Sequence, residues 1–414
     1  MKAHAARICC LDLDTFFVSV ERVLDPSLEG KPVIVGGLPG ERGVVTAASY
    51  EVRELGVRSG TSLTEAAKLA PNAVYLPGRH GVYGEYAEQV REVVARYCPV
   101  IKIASIDEMF LDFRGCERMY HRPGDRDADD TIRRTACEIT RAIKAELGLP
   151  ASVGIATSKA VSKIASTLAK PAGVLLVPAG TESAFLTDLP VRRYPGIGPV
   201  AEAKLARLGI ATLGQLAAAP RAHVRRVLGA YAATIQQGST GEASADLGDD
   251  RPAFREFDPE GGVVGSISNE RTFREDVGDA DSIYSMLCAL CERVCWRARK
   301  RGVQARTVTL KLRYADFVTL SRSRTIRPSA SEQEIYPVIC ELYRRARTRP
   351  LRLRLLGVAL SNLGEKDQQR RLFGDDTELC STVDGIRARY GFDSLRLATA
   401  SRRAFRRDDP KTRA

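Results

Sequence analysis

The sequence predicts an α+β protein built from several domains, and three observations carry that reading. The chain has 414 residues, 44% of them apolar, which is ample for roughly two to four separate cores. Through the first 180 residues, short apolar runs of strand character alternate with helical segments, and the alternation returns between about 260 and 364. Residues 181 to 240 instead read as helical, and the polar stretch Gly238 to Pro259 reads as a linker after them.

Each element has a local reason. Ile8-Cys9-Cys10-Leu11 is a buried-strand run, and Val33-Ile34-Val35 ends at Gly36-Gly37 as a strand meeting a turn does. Ser62 to Ala70 reads as a short helix stopped by Pro71, and Val82 to Tyr97 as an amphipathic helix ending before Pro99. Ile101–Ile103 and Phe110–Phe113 read as strands joined by a turn at Asp107-Glu108. A polar loop, His121 to Asp130, precedes a helix from about Thr131 to Leu147, and Ala151 to Ile155 resumes as a strand. Pro195-Gly196-Ile197-Gly198, then Ala201 to Leu208 and Gly209-Ile210, reads as helix, glycine turn, helix. Such a helix–hairpin–helix converges backbone N–H groups on a phosphate. In Val308-Thr309-Leu310-Lys311-Leu312-Arg313 apolar and polar residues alternate, so a strand points Thr309, Lys311 and Arg313 outward. Leu351 to Leu355 repeats the pattern and exposes Arg352 and Arg354. Residues 365 to 414 are charged and expected to be partly disordered, with a short helix near Val383 to Tyr390.

The formal charge is +12 and the pI about 9.3, which favours a polyanionic partner. Between 293 and 327 stand eleven Lys or Arg residues and one acid, Asp316, a composition that suits a phosphate backbone or a solvated basic face. No apolar run approaches the ~18 residues of a membrane span and no signal-peptide pattern opens the chain, so a cytoplasmic protein without membrane contact is expected. Cys288, Cys291 and Cys295 have metal-like spacing, but the stripe Ile283, Leu287, Leu290, Val294 runs beside them and favours packed thiols over a zinc or iron–sulfur site. The chain has no HExxH, Walker A or strand-following GxGxxG pattern, which disfavours P-loop and Rossmann chemistry.

The strongest chemical signal is a pair of acidic clusters, Asp12-Leu13-Asp14 and Ser105-Ile106-Asp107-Glu108, each in or just after an apolar run. Adjacent strands would gather Asp12, Asp107 and Glu108 at one sheet edge. Three carboxylates so placed repel one another unless cations neutralise them. Hard divalent ions take oxygen ligands and leave room for substrate phosphates, the arrangement of two-metal phosphoryl displacement. Metal-dependent nucleotidyl transfer follows as a hypothesis, beside the simpler reading of a capping or solvent-facing acidic pair.

Several runs come in one recognisable order: Asp12-Leu13-Asp14-Thr15-Phe16-Phe17-Val18-Ser19-Val20-Glu21, then Ala48-Ser49-Tyr50-Glu51-Val52-Arg53, then Ser105-Ile106-Asp107-Glu108. Ser152-Val153-Gly154-Ile155, Ser162-Lys163-Ile164-Ala165-Ser166 and Ala169-Lys170-Pro171 follow. Together they resemble the Y-family of DNA polymerases, most closely its bacterial DNA polymerase IV (DinB-type) branch, over about residues 7 to 364. The resemblance implies a right-hand polymerase: a ferredoxin-like palm at 1–15 and 79–170, small fingers at 16–78 and a helical thumb with the helix–hairpin–helix at 171–240. A linker at 241–257, an α/β little finger at 258–364 and a tail at 365–414 complete it. It implies error-prone translesion synthesis from dNTPs on primer–template DNA, without proofreading, by a monomer.

The same resemblance assigns roles. Asp12, Asp107 and Glu108, helped by the Leu13 carbonyl, would hold two Mg²⁺ ions. Tyr50, Arg53 and Lys163 would contact the triphosphate, with Phe16 beside the nucleotide and Phe17 as steric gate against a 2′-hydroxyl. Gly196, Gly198, Thr309, Lys311, Arg313, Arg322, Arg324, Arg352 and Arg354 are the candidate DNA contacts. Gln369-Arg370-Arg371-Leu372-Phe373 resembles the peptide by which bacterial polymerases dock on the sliding clamp, with Gln369, Leu372 and Phe373 as anchors. One departure stands out: Ala47 replaces a hydroxyl-bearing Thr, and Thr46 beside it should face the other way and not substitute for it. The rivals are a non-catalytic scaffold of the same family, which lacks the acidic triad kept here, and a nucleotidyl cyclase, which needs no duplex grip.

Overall fold

The computed structural model describes residues 7–242, 265–365 and 377–401, and the chain divides near Pro259 into two compact units. In the first unit, β1 (Ile8–Leu13) is buried except at Asp12. Thr15 then takes a left-handed φ of 44° and turns the chain into α1 (Phe16–Leu24). A small sheet follows, from β2 (Val33–Val35), β3 (Ala47–Ala48), the short helices α2 (Tyr50–Glu54) and α3 (Leu63–Leu69), and β4 (Val74–Leu76). Its order is β3-β2-β4, and it has its own core of Ile34, Val45, Val52, Val57 and Leu63. Helix α1 is amphipathic and lies against β2 and β3 of this small sheet, where Phe16, Val18 and Val20 share a buried cluster with Val33, Val35 and Ala47.

The larger sheet is assembled next. Helix α4 (His80–Ala95) precedes β5 (Ile101–Ile103) and β6 (Glu108–Asp112). After α5 (Glu117–Tyr120) the polar loop is tied down, Asp125 pairing with Arg134 at 2.9 Å and Arg122 with Glu138 at 2.7 Å. Helix α6 (Ala128–Leu147) starts at Asp127, whose side chain accepts from the Asp130 N–H, and stops at Gly148. Strand β7 (Ala151–Ala156), helix α7 (Lys159–Ala169) and β8 (Val174–Leu176) complete the order β5-β6-β1-β7-β8. Leu11, Leu13, Tyr83, Val90, Leu111, Ile132 and Ile139 form the core under α4 and α6. On the opposite face α7 lies hard against β7. A Cβ at Gly154 would stand 2.0 Å from the Ser162 carbonyl, so only glycine admits the helix at this depth.

Helices α8 (Glu182–Thr187), α9 (Pro199–Ala206), α10 (Leu213–Ala218), α11 (Arg221–Leu228) and α12 (Ala232–Gly238) form a helical subdomain. Its core of Leu186, Leu205, Leu213, Leu216, Val224 and Ile235 continues into Val161 and Ile164 of α7. Gly196, at φ 94°, turns the chain, Gly198 caps α9 and Pro199 opens it.

The second unit is an antiparallel sheet covered on one face by two helices: β9 (Ser266–Val277), α13 (Ala280–Lys300), β10 (Val303–Tyr314), β11 (Thr319–Ser329), α14 (Glu332–Ala346) and β12 (Leu353–Glu365), in strand order β11-β10-β12-β9. Val308, Leu310 and Leu312 point at Leu287, Leu290, Val294 and Ile339 in the core. Cys288, Cys291 and Cys295 are buried within this helix layer, where burial pushes the Cys291 thiol up, and Cys291 and Cys295 sulfurs lie 3.8 Å apart.

Within the expected tail, residues 377–401 form more helix than the short one expected near Val383 to Tyr390. Helices α15 (Thr377–Tyr390) and α16 (Ala398–Ser401) fold back onto α13. Arg387 pairs with Glu292 at 2.7 Å, their side chains 2% and 1% exposed, and Arg299 joins Asp384 and Glu332 at 2.7 Å each. Phe392 packs on Trp296 with ring centroids 5.0 Å apart. Among the described residues no helix is long and apolar enough to cross a membrane.

Candidate active site

Strand register builds the site. β1 runs antiparallel to β6 with Asp12 directly opposite Glu108, and to β7 with Asp12 opposite Ser152. Asp107 immediately precedes β6, and its carbonyl accepts the Leu13 N–H at 2.9 Å. The three acidic residues therefore meet at one end of the sheet. Asp12 shares a strand face with Ile8 and Cys10, opposite to the face of Leu11 and Leu13, so it looks toward the side covered by α7.

Two lysines answer the acids. Lys163, on α7, forms an ion pair with Glu108 Oε2, and Lys170, just past the end of α7, reaches Asp12 Oδ1 at 2.5 Å. The Ser105 hydroxyl donates to Asp107 Oδ1, and the Cys10 thiol to Glu108 Oε1 at 3.5 Å. Burial pushes the Asp12 carboxyl up to about 6; Lys170 pulls it back, while Asp107 and Glu108 push it further. Burial lowers Lys163, but the charge and hydrogen bond of Glu108 outweigh it and hold the ammonium above its ordinary range.

Lys170 is a site residue that sequence reasoning did not assign. It stands in the quoted Ala169-Lys170-Pro171 run, and a lysine closing a helix is easily taken for a partner of the helix dipole.

Among the described residues no three His, Cys, Asp or Glu side chains are gathered into a formed metal cage. Asp12 and Glu108 turn oxygens to ammonium groups instead. The donor set still fits a hard divalent cation: every acidic ligand is an oxygen, all stand at one strand end, and the charges now neutralised by Lys163 and Lys170 are those an ion would neutralise.

Asp14, by contrast, is buried and fully engaged. It accepts from the Ser152 hydroxyl at 2.8 Å, the Ala172 N–H at 2.7 Å and the Tyr50 hydroxyl at 3.2 Å. It thus ties α2 to the main sheet. Arg53 lies 5.2 Å over the Tyr50 ring and donates to the Ala48 carbonyl at 3.0 Å. Phe16 is core, whereas Phe17 is half-buried and stacks on Tyr83 at 4.3 Å with 16° between planes. Tyr83 is anchored in turn by its hydroxyl on Glu21 at 2.5 Å. Ala47 pairs with Val35 in the small sheet, and the Thr46 hydroxyl is committed to the Val35 carbonyl at 2.8 Å.

The remaining candidates lie elsewhere. Gly196 and Gly198 frame the start of α9. In the second unit Thr309, Lys311 and Arg313 share the open sheet face, Lys311 pairing with Glu270 at 2.8 Å and Arg313 donating to Thr319 Oγ1 at 2.8 Å. Arg322 and Arg324 do not join them. They stand opposite Leu310 and Val308, so the pleat sends them to the helix-covered side, where Arg324 meets Glu341. Arg352 is exposed beside the β10–β11 turn, and Arg354 lies over Phe317. Gln369, Leu372 and Phe373 lie outside the described residues.

Comparison with known proteins finds relatives over nearly the whole chain. Residues 11–167 match the impB/mucB/samB family, 264–372 that family's C-terminal domain and 180–210 its HHH motif. DNA polymerase IV of Dehalococcoides mccartyi strain CBDB1 is 38% identical over 96% of this chain and 98% of its own, and DNA polymerase IV of Desulfatibacillum aliphaticivorans is 38% identical over 94% and 95%. Among solved structures, a Y-family DNA polymerase chimera of Dbh and Dpo4 shares the fold with a TM-score of 0.74 at 24% identity, covering 87% of this chain and 100% of that one. A Dbh ternary complex reaches 0.57 at 25% identity, over 86% and 98%. The chain belongs to the impB/mucB/samB family, the Y-family of DNA polymerases. Its fold is the α+β, multidomain fold of that family, with a helix–hairpin–helix subdomain and a separate C-terminal sheet domain.

Proposed function

We propose that this chain is a translesion DNA polymerase, extending a primer 3′-hydroxyl from dNTPs on DNA templates, with Asp12, Asp107 and Glu108 as its catalytic carboxylates. The observation that carries this is the register that sets Asp12 against Glu108 with Asp107 adjacent, in a chain 38% identical to a DNA polymerase IV over nearly its whole length. These three side chains and the Leu13 carbonyl would hold two Mg²⁺ ions. When bound, such ions acidify the primer hydroxyl and neutralise the triphosphate and leaving pyrophosphate.

The chain's own groups do the rest. Once the carboxylates no longer hold them, Lys163 and Lys170 are ammonium donors for phosphate oxygens beside the reacting centre. Arg53 offers a planar fork and Tyr50 a hydroxyl to the same triphosphate. Asp14 positions Tyr50 without meeting the substrate. With Ala47 and the committed Thr46, the small sheet contributes no hydroxyl there, so these cations carry more of the grip. Phe17, braced by Tyr83, stands as the gate on the sugar. Thr309, Lys311, Arg313, Arg352 and Arg354, with Arg322 and Arg324 on the other sheet face and the Gly196–Gly198 backbone, would hold the DNA backbone without reading sequence. Gln369, Leu372 and Phe373 would dock a monomer on the bacterial sliding clamp in the cytoplasm, raising its local concentration at the primer.

The test is primer extension on undamaged and abasic-site templates with Mg²⁺. The expected result is incorporation on both templates, from dNTPs and not from ribonucleotides. DNA binding without any extension would sink the polymerase reading in favour of a scaffold.

A further inference from the structure

The tip of the β10–β11 hairpin carries an aromatic ring that the fold does not need. Phe317 sits at φ 67°, a left-handed conformation that glycine takes freely and a bulky side chain does not. The turn is closed without the ring: the Phe317 N–H donates to the Tyr314 carbonyl at 3.0 Å, and the Val318 N–H to Asp316 Oδ1 at 3.2 Å. The ring is absent from the core of this unit and the residue is 61% exposed, with Val318 beside it at 42%. Neither turn geometry nor packing explains a phenylalanine here.

Its surroundings are cationic. The Arg354 guanidinium lies 4.3 Å over the ring, and the Arg352 carbonyl accepts from Ala315 in the same turn. The one acid of the tip, Asp316, is neutralised by Arg349 at 2.7 Å, and Arg313 pairs across the sheet with Leu355. An exposed aromatic ring among arginines is the composition of a site that stacks an unpaired base while its phosphates meet the cations.

We propose that Phe317, backed by Arg354, is a stacking platform for an unpaired nucleobase of single-stranded DNA. Resting on the polymerase reading above, it assigns this platform the unpaired template strand. Inside a duplex each base face is already covered by its neighbour, so the preference is for the overhang.

The experiment uses the full chain and primer–template DNA carrying 2-aminopurine at stepped overhang positions, with a blunt duplex as reference. Binding of the parent should quench the probe at about one or two positions. Phe317→Ala should abolish that quenching and lower overhang affinity about five-fold or more, as the loss of one base stack does, leaving blunt-duplex affinity within about two-fold. Phe317→Trp should keep the quenching. Phe317→Gly, which relieves the turn, should behave as Phe317→Ala does. Unchanged quenching in Phe317→Ala would overturn the platform, and so would an equal loss of overhang and duplex affinity. A parent that extends primers yet shows no quenching would overturn the platform alone; a parent that binds no DNA would overturn the polymerase reading with it.

Discussion

Asp12 meets opposing demands from its surroundings. Burial raises its carboxyl from 3.8 to about 6, and Lys170 compensates only in part. The raised value means that the folded chain holds this proton more tightly than the unfolded chain does. Its contribution to stability is therefore full below about pH 4 and lost as pH rises through about 6. A divalent ion must displace that proton as well as Lys170. We predict that Mn²⁺ affinity, followed by electron paramagnetic resonance, falls about ten-fold per unit below pH 6, and that Asp12→Asn flattens the profile. Affinity independent of pH between 5 and 7.5 would show that Asp12 is not a ligand. Asp12, Asp107 and Glu108 were legible in the sequence because apolar strand runs frame them. Lys170 was not, because its role depends on how deeply α7 sinks onto β7, which no local pattern reports.

At the scale of elements, that depth rests on Gly154. An alanine there collides with the backbone at Ser162 and Ser166, so α7 must rise and carry Lys163 away from Glu108. Gly154→Ala should cost roughly 1–3 kcal/mol or more by chemical denaturation and lower kcat for incorporation; a variant as stable and active as the parent would refute the packing argument. A second element, the α15–α16 return, is held by a buried ion pair. Arg387→Met alone should cost about 3–5 kcal/mol by leaving Glu292 charged and unpaired, whereas Arg387→Met combined with Glu292→Met should recover most of it. Additive losses in that cycle would mean that the pair does not hold the return. The docking of this return escaped the sequence reading because ion pairs, hydrogen bonds to Glu292 and from Ser285, and the Phe392 ring anchor it, and these leave no hydrophobic period to read. Arg322 and Arg324 show a related limit. Alternation told which residues of β10 face outward, but the β10–β11 register, which sets Arg322 opposite Leu310 and Arg324 opposite Val308, decides the face for the partner strand.

On the scale of the whole molecule, the order of the motifs made the family legible, since several weak signals in one sequence restrict each other. The chain's charge of +12 and the basic open sheet face imply binding through phosphates. DNA affinity should fall steeply with salt, and Lys311→Ala with Arg313→Ala should lower the log–log slope by about two, near one unit per lost phosphate contact. An unchanged slope would remove this face from the DNA interface. Nucleotidyl transfer is proposed to rest on the acidic residues gathered by β1 and β6. Its most direct test is primer extension by the parent beside the Asp107→Ala/Glu108→Ala double variant, with DNA affinity measured on both. Extension by the parent and none by the variant is expected at similar DNA affinity; equal extension by the two proteins would place the chemistry elsewhere.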